Sequence, residues 1–365
     1  MKLFSGDRTF IMLVLAMSFS GLAIFASATL GMLARQQSSV SHDILLQAGL
    51  GLGLGLIALF VTRSIPLSGV RRYAPLIYVL SLLATLLVFI PGIGFHSGGA
   101  TRWINLGFTT VQPAEFLKIG FVVALAWWLA PRIRELRNPR KGLVPFIILI
   151  AIPAAILLAQ PNTSTTMLLA ITGGVMYFVA GAPLRDFGLL ALGILLILGA
   201  LISVRPYVLQ RFETFLHPSQ NALGSGYQIQ QSLIAVGSGG LLGRGFGQSV
   251  EKFNYLPEPD GDSVFAVFAE ETGFVGAALL LALFVALAAR GIVISGHARD
   301  AFGGLIALGF STILIVQAFI NICAMLGIIP LTGLPLPFIS HGGTALFAAL
   351  IMCGFILNVA AHRTA

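Results

Sequence analysis

Residues 301–326 read AFGGLIALGFSTILIVQAFINICAML, a run that contains no charged residue. A bilayer core about 30 Å thick is crossed by about 20 apolar residues rising 1.5 Å each. The run is therefore predicted to be a membrane-spanning helix. Working outward, the same signature recurs at roughly 10–33, 44–62, 73–92, 113–130, 143–159, 163–180, 187–204, 263–289 and 342–361. The composition agrees: of 365 residues 57% are hydrophobic and 9% charged, where soluble domains carry about 25% charged residues. The 42 glycines and 17 prolines fall among apolar runs, a mixture membrane helices tolerate. The expected fold class is an all-α polytopic membrane protein of about ten transmembrane helices, one integral membrane domain over residues 1–365. Disorder, coiled coils and secreted disulfide scaffolds are excluded. Ala26, Ser27 and Ala28 resemble a signal-peptide cleavage site, but the run around them is too long and nine more follow, so it is expected to stay as a mature helix.

The formal charge of +8 raises the question of nucleic acid, and the position of the charges answers it. With the amino terminus inside the cell, Lys2, Arg8, Arg63, Arg71, Arg72, Arg132, Arg134, Arg137, Arg140, Lys141, Arg185, Arg290, Arg299 and Arg363 fall on the cytoplasmic side. Only Arg35, Arg102, Arg205, Arg211, Arg244 and Lys252 fall outside. This is the positive-inside bias of a membrane protein, with both termini cytoplasmic. Cys323 and Cys353 lie within apolar runs without a CxxC spacing, so neither a disulfide nor a zinc site is expected.

One connection is long. Residues 205–262, between the seventh and eighth spans, are expected to form a large extracytoplasmic loop, and such length calls for a purpose. Two smaller outer segments, 93–112 and 327–341, carry Gly and Pro at membrane depth and suit re-entrant backbone, which survives only inside protein or along a polar cavity.

The ionisable residues near the outer ends of the spans are the candidates for chemistry. Glu115 and Lys118 stand three residues apart on one helix face and can pair, either bracing the bundle or serving a site. Asp262 precedes the apolar run of the eighth span, where a helix N-cap and a catalytic carboxylate are both open readings. Glu270 and Glu271 lie about two turns further on, placed to pair with a buried base, hold a cation or snorkel. No HExxH, phosphate-binding glycine loop or GxSxG elbow occurs, so nothing supports an ATPase or a zinc protease.

These residues belong to longer strings: GGATRWINLG, VQPAEFLK, AQPNTST, GSGYQIQQSLIAVGSGGLLGRGFGQ, FNYLPEPDGDSVFAVFAEETGFVG and GIIPLTGLPLPFISHGGTAL. In order and spacing they resemble the SEDS family of bacterial cell-wall proteins (FtsW, RodA and SpoVE) over nearly the whole chain. QAFINI and PLPFIS look more like the division branch, FtsW, than the elongation branch, RodA. The resemblance implies a peptidoglycan glycosyltransferase that polymerises lipid II at the outer face of the bacterial cytoplasmic membrane. It implies Asp262 as the catalytic carboxylate. Arg102, Glu115, Lys118, Tyr227, Gln228, Gln231, Ser232, Ser340, Gly342 and Gly343 match its other signature positions, as substrate-binding candidates. It also implies a class B penicillin-binding protein as partner, beside other division or elongation membrane proteins. Four positions depart from the family's usual residues: Asn162 and Ser164 stand in a string that usually reads QPDxGT, Ser263 replaces Phe, and His341 replaces Tyr.

The chemistry suits the residues. A base takes the proton of an acceptor hydroxyl, which attacks the anomeric carbon of a donor whose lipid pyrophosphate leaves. Arg102 and Lys118, together with a divalent cation such as magnesium or manganese, are the expected sources of positive charge for that leaving group. A lipid II flippase is the rival reading, and a scaffold that only recruits a transpeptidase is a third. The clustering of ionisable residues near the outer side favours chemistry there.

Overall fold

Backbone inside hydrocarbon must bond its own N–H and C=O groups, so long apolar runs fold as helices. The computed structural model describes residues 7–34, 44–97, 100–107, 109–204, 206–217 and 225–362. Each expected span is helical there. The helices are α1 (Arg8–Ala34), α2 (44–53) continuing into α3 (Leu54–Ser64), α4 (Leu67–Leu86), α5 (Pro113–Leu129), α6 (Leu143–Ala159), α7 (Thr163–Val179) and α8 (Leu184–Val204). The long connection between α8 and α12 contributes α9 (Pro206–Leu216), α10 (Ser225–Ser238) and the single turn α11 (Glu251–Asn254). Then come α12 (Val264–Gly296), α13 (Ala301–Met325) and α14 (Gly343–Ala361). Among the described residues, 7 spans are long and apolar enough to cross a membrane, and α6 and α7 are shorter apolar helices. The molecule is thus an all-α polytopic membrane protein.

Helices α5, α13 and α14 form the centre and are buried almost all round, whereas α1, α3 and α4 bury one stripe and leave large apolar side chains such as Met12, Ile57 and Leu83 on the outside. That is the arrangement hydrocarbon permits, since exposed Leu and Ile cost nothing in lipid. Packing between these helices relies on small residues that let backbones approach. A Cβ at Gly354 of α14 would collide with Thr62 and the backbone of Leu59.

Three features differ from the expected pattern. Residues Gln47–Gly53 form π-helical turns, the kind of local widening that often accompanies function. The segment before α5 is a small antiparallel sheet of order β1-β2-β3, formed by Gly94–Ser97, Ala100–Asn105 and Thr110–Val111. Its ladder, with Ile104 opposite both Gly94 and Val111, satisfies the backbone that a re-entrant strand would leave open. Third, α12 has 33 residues, about 50 Å of helix, and bends at Gly273, whose φ of 67° suits glycine. Its first part packs against the segment that carries α10 and the turn at Asp262. Arg35, Arg205 and residues 218–224 lie outside the described residues.

Candidate active site

Asp262 lies in the turn that joins α11 to α12. The turn is closed by hydrogen bonds from the N–H groups of Gly261 and Ser263 to the carbonyl of Glu258, both 3.2 Å. Ser263, not Asp262, occupies the N-cap position of α12, so the capping reading of Asp262 does not hold. Its carboxylate accepts no hydrogen bond from the described residues. Loss of water and the nearby Glu258 carboxylate push the Asp262 pKa up to about 6, against the opposing charges of Arg102 and Arg211.

Those two arginines come from different elements. Arg102, on the strand Ala100–Asn105, donates from Nε to the Gln160 carbonyl (3.3 Å) and from Nη2 to the Pro161 carbonyl. Arg211, on α9, lies with Nη1 3.5 Å from the Thr163 hydroxyl. Both therefore stand against the start of α7. That turn is held in its own right: Gln160 donates to the Thr85 carbonyl (2.7 Å) and Ser164 to the Thr332 carbonyl. Asn162 caps α7, its Oδ1 accepting from the Thr165 N–H at 3.2 Å.

Beneath Asp262 runs a line of buried amides. Asn321 of α13 donates to the carbonyls of Asp262 (2.9 Å) and Leu334 (2.8 Å). One turn away, Gln317 donates to the Pro335 carbonyl (2.8 Å) and accepts from Lys118 Nζ (2.7 Å). Lys118 also pairs with Glu115 at 2.6 Å, both deeply buried. The charge pair thus supports, through Gln317, the loop that lies against the Asp262 turn.

The last loop closes the site from the other side. Ser340 Oγ donates to the Gly261 carbonyl (2.7 Å) and accepts from the Leu336 N–H (2.7 Å). His341 donates its backbone N–H to the Asp260 carbonyl (2.7 Å), and its Nδ1 lies 3.2 Å from the Asp260 carboxylate. The π-helical turns supply Gln47, which donates to the Ser340 carbonyl (3.2 Å) and accepts from the Gly342 N–H (3.3 Å). Gly343 lies where α14 starts against Gly51. On α10, Gln228 donates to the Ser263 hydroxyl (3.0 Å), Ser232 is buried beside the Met325 sulfur, and Tyr227 and Gln231 are half-buried.

Glu270 and Glu271, whose role the sequence leaves open, anchor the long connection between α8 and α12. Lys252 Nζ pairs with Glu271 at 2.6 Å, both buried, and Ser27 of α1 donates to both Glu271 oxygens at 2.8 and 2.7 Å. Glu270 accepts from Ser249 Oγ (2.5 Å) and the Val250 N–H (3.0 Å), and pairs with Arg244 at 3.3 Å. The glycine-rich run lies along the bend of α12, where the N–H groups of Arg244 and Gly245 bond the carbonyls of Glu270 and Glu271.

The model of the family described as Cell cycle protein, FTSW_RODA_SPOVE, matches residues 7–365. The chain belongs to that family. It is 40% identical over 311 residues to Stage V sporulation protein E of Bacillus subtilis (strain 168), 85% of each chain. It is 36% identical over 362 residues to the probable peptidoglycan glycosyltransferase FtsW of Coxiella burnetii, 98% of this chain and 96% of that one. Its fold is similar to a chain of a solved peptidoglycan synthase complex that coordinates polymerization and crosslinking, with a TM-score of 0.81, 29% identity and 98% of each chain covered. The rod shape determining protein RodA of Thermus thermophilus superposes with a TM-score of 0.70 at 27% identity, over 100% of both chains.

Within this FtsW, RodA and SpoVE family member, Arg102, Ser340 and Gln228 come together around the Asp262 turn, and Lys118 with Glu115 stands behind it. Ser232, Gly342 and Gly343 meet neighbouring helices and loops. Arg211, Gln317, Asn321 and Gln47 are not among the site residues expected from the sequence. Gln317 and Asn321 do carry a signal, two amides at i and i+4 inside an otherwise apolar helix, because an unbonded amide there is costly.

Proposed function

We propose that this chain is a glycosyltransferase that polymerises lipid II into glycan strands at the outer face of the cytoplasmic membrane, with Asp262 as general base. One observation carries the reading: a partly buried carboxylate without a hydrogen bond from the described residues, set in the field of Arg102 and Arg211. Every other carboxylate along the outer half of α5 and α12 is engaged in an ion pair.

In the proposed step Asp262 takes the proton of the acceptor sugar hydroxyl while that oxygen attacks the donor anomeric carbon. The new glycosidic bond forms as the bond from that carbon to the pyrophosphate oxygen breaks, and the electron pair leaves with the lipid pyrophosphate. A base with a pKa near the working pH suits this transfer, and fixed guanidinium groups suit the charge that develops on the leaving group. Lys118, bound within the bundle, acts through Gln317 on the position of the loop. Among the described residues no group of three or more His, Cys, Asp or Glu side chains is placed to hold a metal ion. Magnesium or manganese enters this proposal only with the substrate's own pyrophosphate.

The likeness to FtsW relatives supports a role in septal wall synthesis, with both termini cytoplasmic and Asp262 outside. The likeness to the synthase complex supports a class B penicillin-binding protein as partner, which would supply the crosslinking step, within the wider set of division or elongation membrane proteins. The decisive experiment uses purified protein, lipid II and a gel that resolves glycan strands. Strand formation by the natural chain and its loss in Asp262→Asn are expected. Lipid II movement across vesicles without strand formation would favour the flippase reading.

A further inference from the structure

Asn162 presents an unusual account of its polar atoms. Its Oδ1 is fixed as the acceptor for the Thr165 N–H, which assigns the other amide atom as the Nδ2 donor. That Nδ2 is buried and has no partner among the described residues, although Asn162 as a whole is 4% exposed. Leaving such a donor unmet costs free energy in any protein. Because the amide is planar and its oxygen caps α7, the nitrogen is held at the same helix end.

What surrounds it carries positive charge. Arg102 bonds the carbonyls of Gln160 and Pro161 immediately before the cap, and Arg211 reaches Thr163 immediately after it. α7 runs for 17 residues, long enough for its N-terminal N–H groups to favour an anion. A helix start, two guanidinium groups and an unmet buried donor are the complement of a phosphate group. An aspartate here, usual in the family's string, would meet the same anion with the wrong charge.

We propose that the start of α7 seats the pyrophosphate of the lipid-linked substrate, with Asn162 Nδ2 as a direct donor between Arg102 and Arg211. This rests on the polymerase reading. It assigns Asn162 to substrate binding and makes anion binding in this chain independent of a bridging divalent cation.

The test measures binding of inorganic pyrophosphate to the full chain in detergent with chelator present, by calorimetry, with undecaprenyl pyrophosphate as competitor. Asn162→Asp is expected to weaken binding about tenfold or more, and Asn162→Ser by a smaller factor, since a lost charge-assisted bond and an added repulsion act together. Both variants keep a good N-cap, so an unchanged melting temperature without ligand shows that folding is intact. Arg211→Gln is expected to weaken binding by about tenfold as well. Equal affinity in all four proteins, no pyrophosphate binding to the natural chain, or failure of undecaprenyl pyrophosphate to compete would each overturn the proposal. If glycan strands still form in those cases, the polymerase reading stands. Pyrophosphate binding that depends on Asn162, in a chain that makes no strands from lipid II, would instead overturn the polymerase reading and leave an anion site.

Discussion

Asn321 holds Asp262 by its backbone: the buried amide nitrogen, one turn from the end of α13, donates 2.9 Å to the Asp262 carbonyl and 2.8 Å to that of Leu334. The carboxylate above is thereby positioned without accepting a hydrogen bond from the described residues. In the proposed reaction a base fixed through its main chain keeps its oxygens available for a substrate proton, which a side-chain clamp would not allow.

Asp262→Asn should lower glycan polymerisation by about 100-fold or more, the usual worth of a positioned general base. Its melting temperature at neutral pH should not fall. The raised pKa means the folded chain binds a proton that the unfolded chain releases between the ordinary value near 4 and about 6. Stability from this group is therefore lost as pH rises through that window, and the amide removes the loss. Strand gels and thermal unfolding of the same preparations check both halves.

Polymerisation rate should rise with pH through about 6 and level off above it, because only the ionised Asp262 accepts a proton. Glu258→Gln should move this limb to lower pH, since the Glu258 charge is one of the causes of the raised value, and Arg211→Gln should move it to higher pH. Rate profiles of the three proteins decide the matter, and a limb that stays in place in both variants would contradict the assignment.

Asn321→Leu leaves two buried carbonyls without their donor, at about 1–3 kcal/mol for each unmet group. It should reduce both stability and turnover, with turnover falling further than in Gln317→Leu, because only Asn321 touches the Asp262 backbone. Single-turnover assays on folded fractions measure the difference.

Glu271→Gln, which leaves Lys252 buried beside a neutral amide, should destabilise by about 3–5 kcal/mol, the cost of breaking a buried pair. Replacing Lys252 and Glu271 together by Met and Leu should recover part of that loss. Chemical unfolding of the single and double variants gives the coupling directly.

A bound penicillin-binding protein should protect residues 206–238 from hydrogen exchange more than residues 239–262, and should raise polymerisation. The latter stretch is already tied to α12 by Lys252, Ser249 and the Gly245 N–H, so little remains for a partner to order. Exchange measured with and without the partner distinguishes the two stretches.

The spans were legible in the sequence because hydrocarbon imposes one solution on a long apolar run, and Asp262, Arg102 and Glu115 stood out as charges near membrane ends. The small sheet at 94–111 escaped the reading: its short strands, with Gly94 and Gly107, carry little alternation to distinguish them from a loop. The partners of Glu271 were equally hidden, since Ser27 and Lys252 come from distant parts of the chain and a hydroxyl within an apolar run gives no sign of its neighbour. Arg211 was counted among the outer charges, but its place beside the start of α7 depends on how α9 packs, which no local pattern records.

The bond between Ser27 and Glu271 joins positions 244 residues apart, and this has a temporal meaning. At a synthesis rate of about 5–20 residues per second, the first helix waits roughly 12–50 s for its counterpart to be made. Throughout that interval the turn bearing Asp262 does not yet exist or has nothing to close against. A chain released early from the ribosome would therefore be chemically silent, and catalytic competence arrives only with the finished bundle.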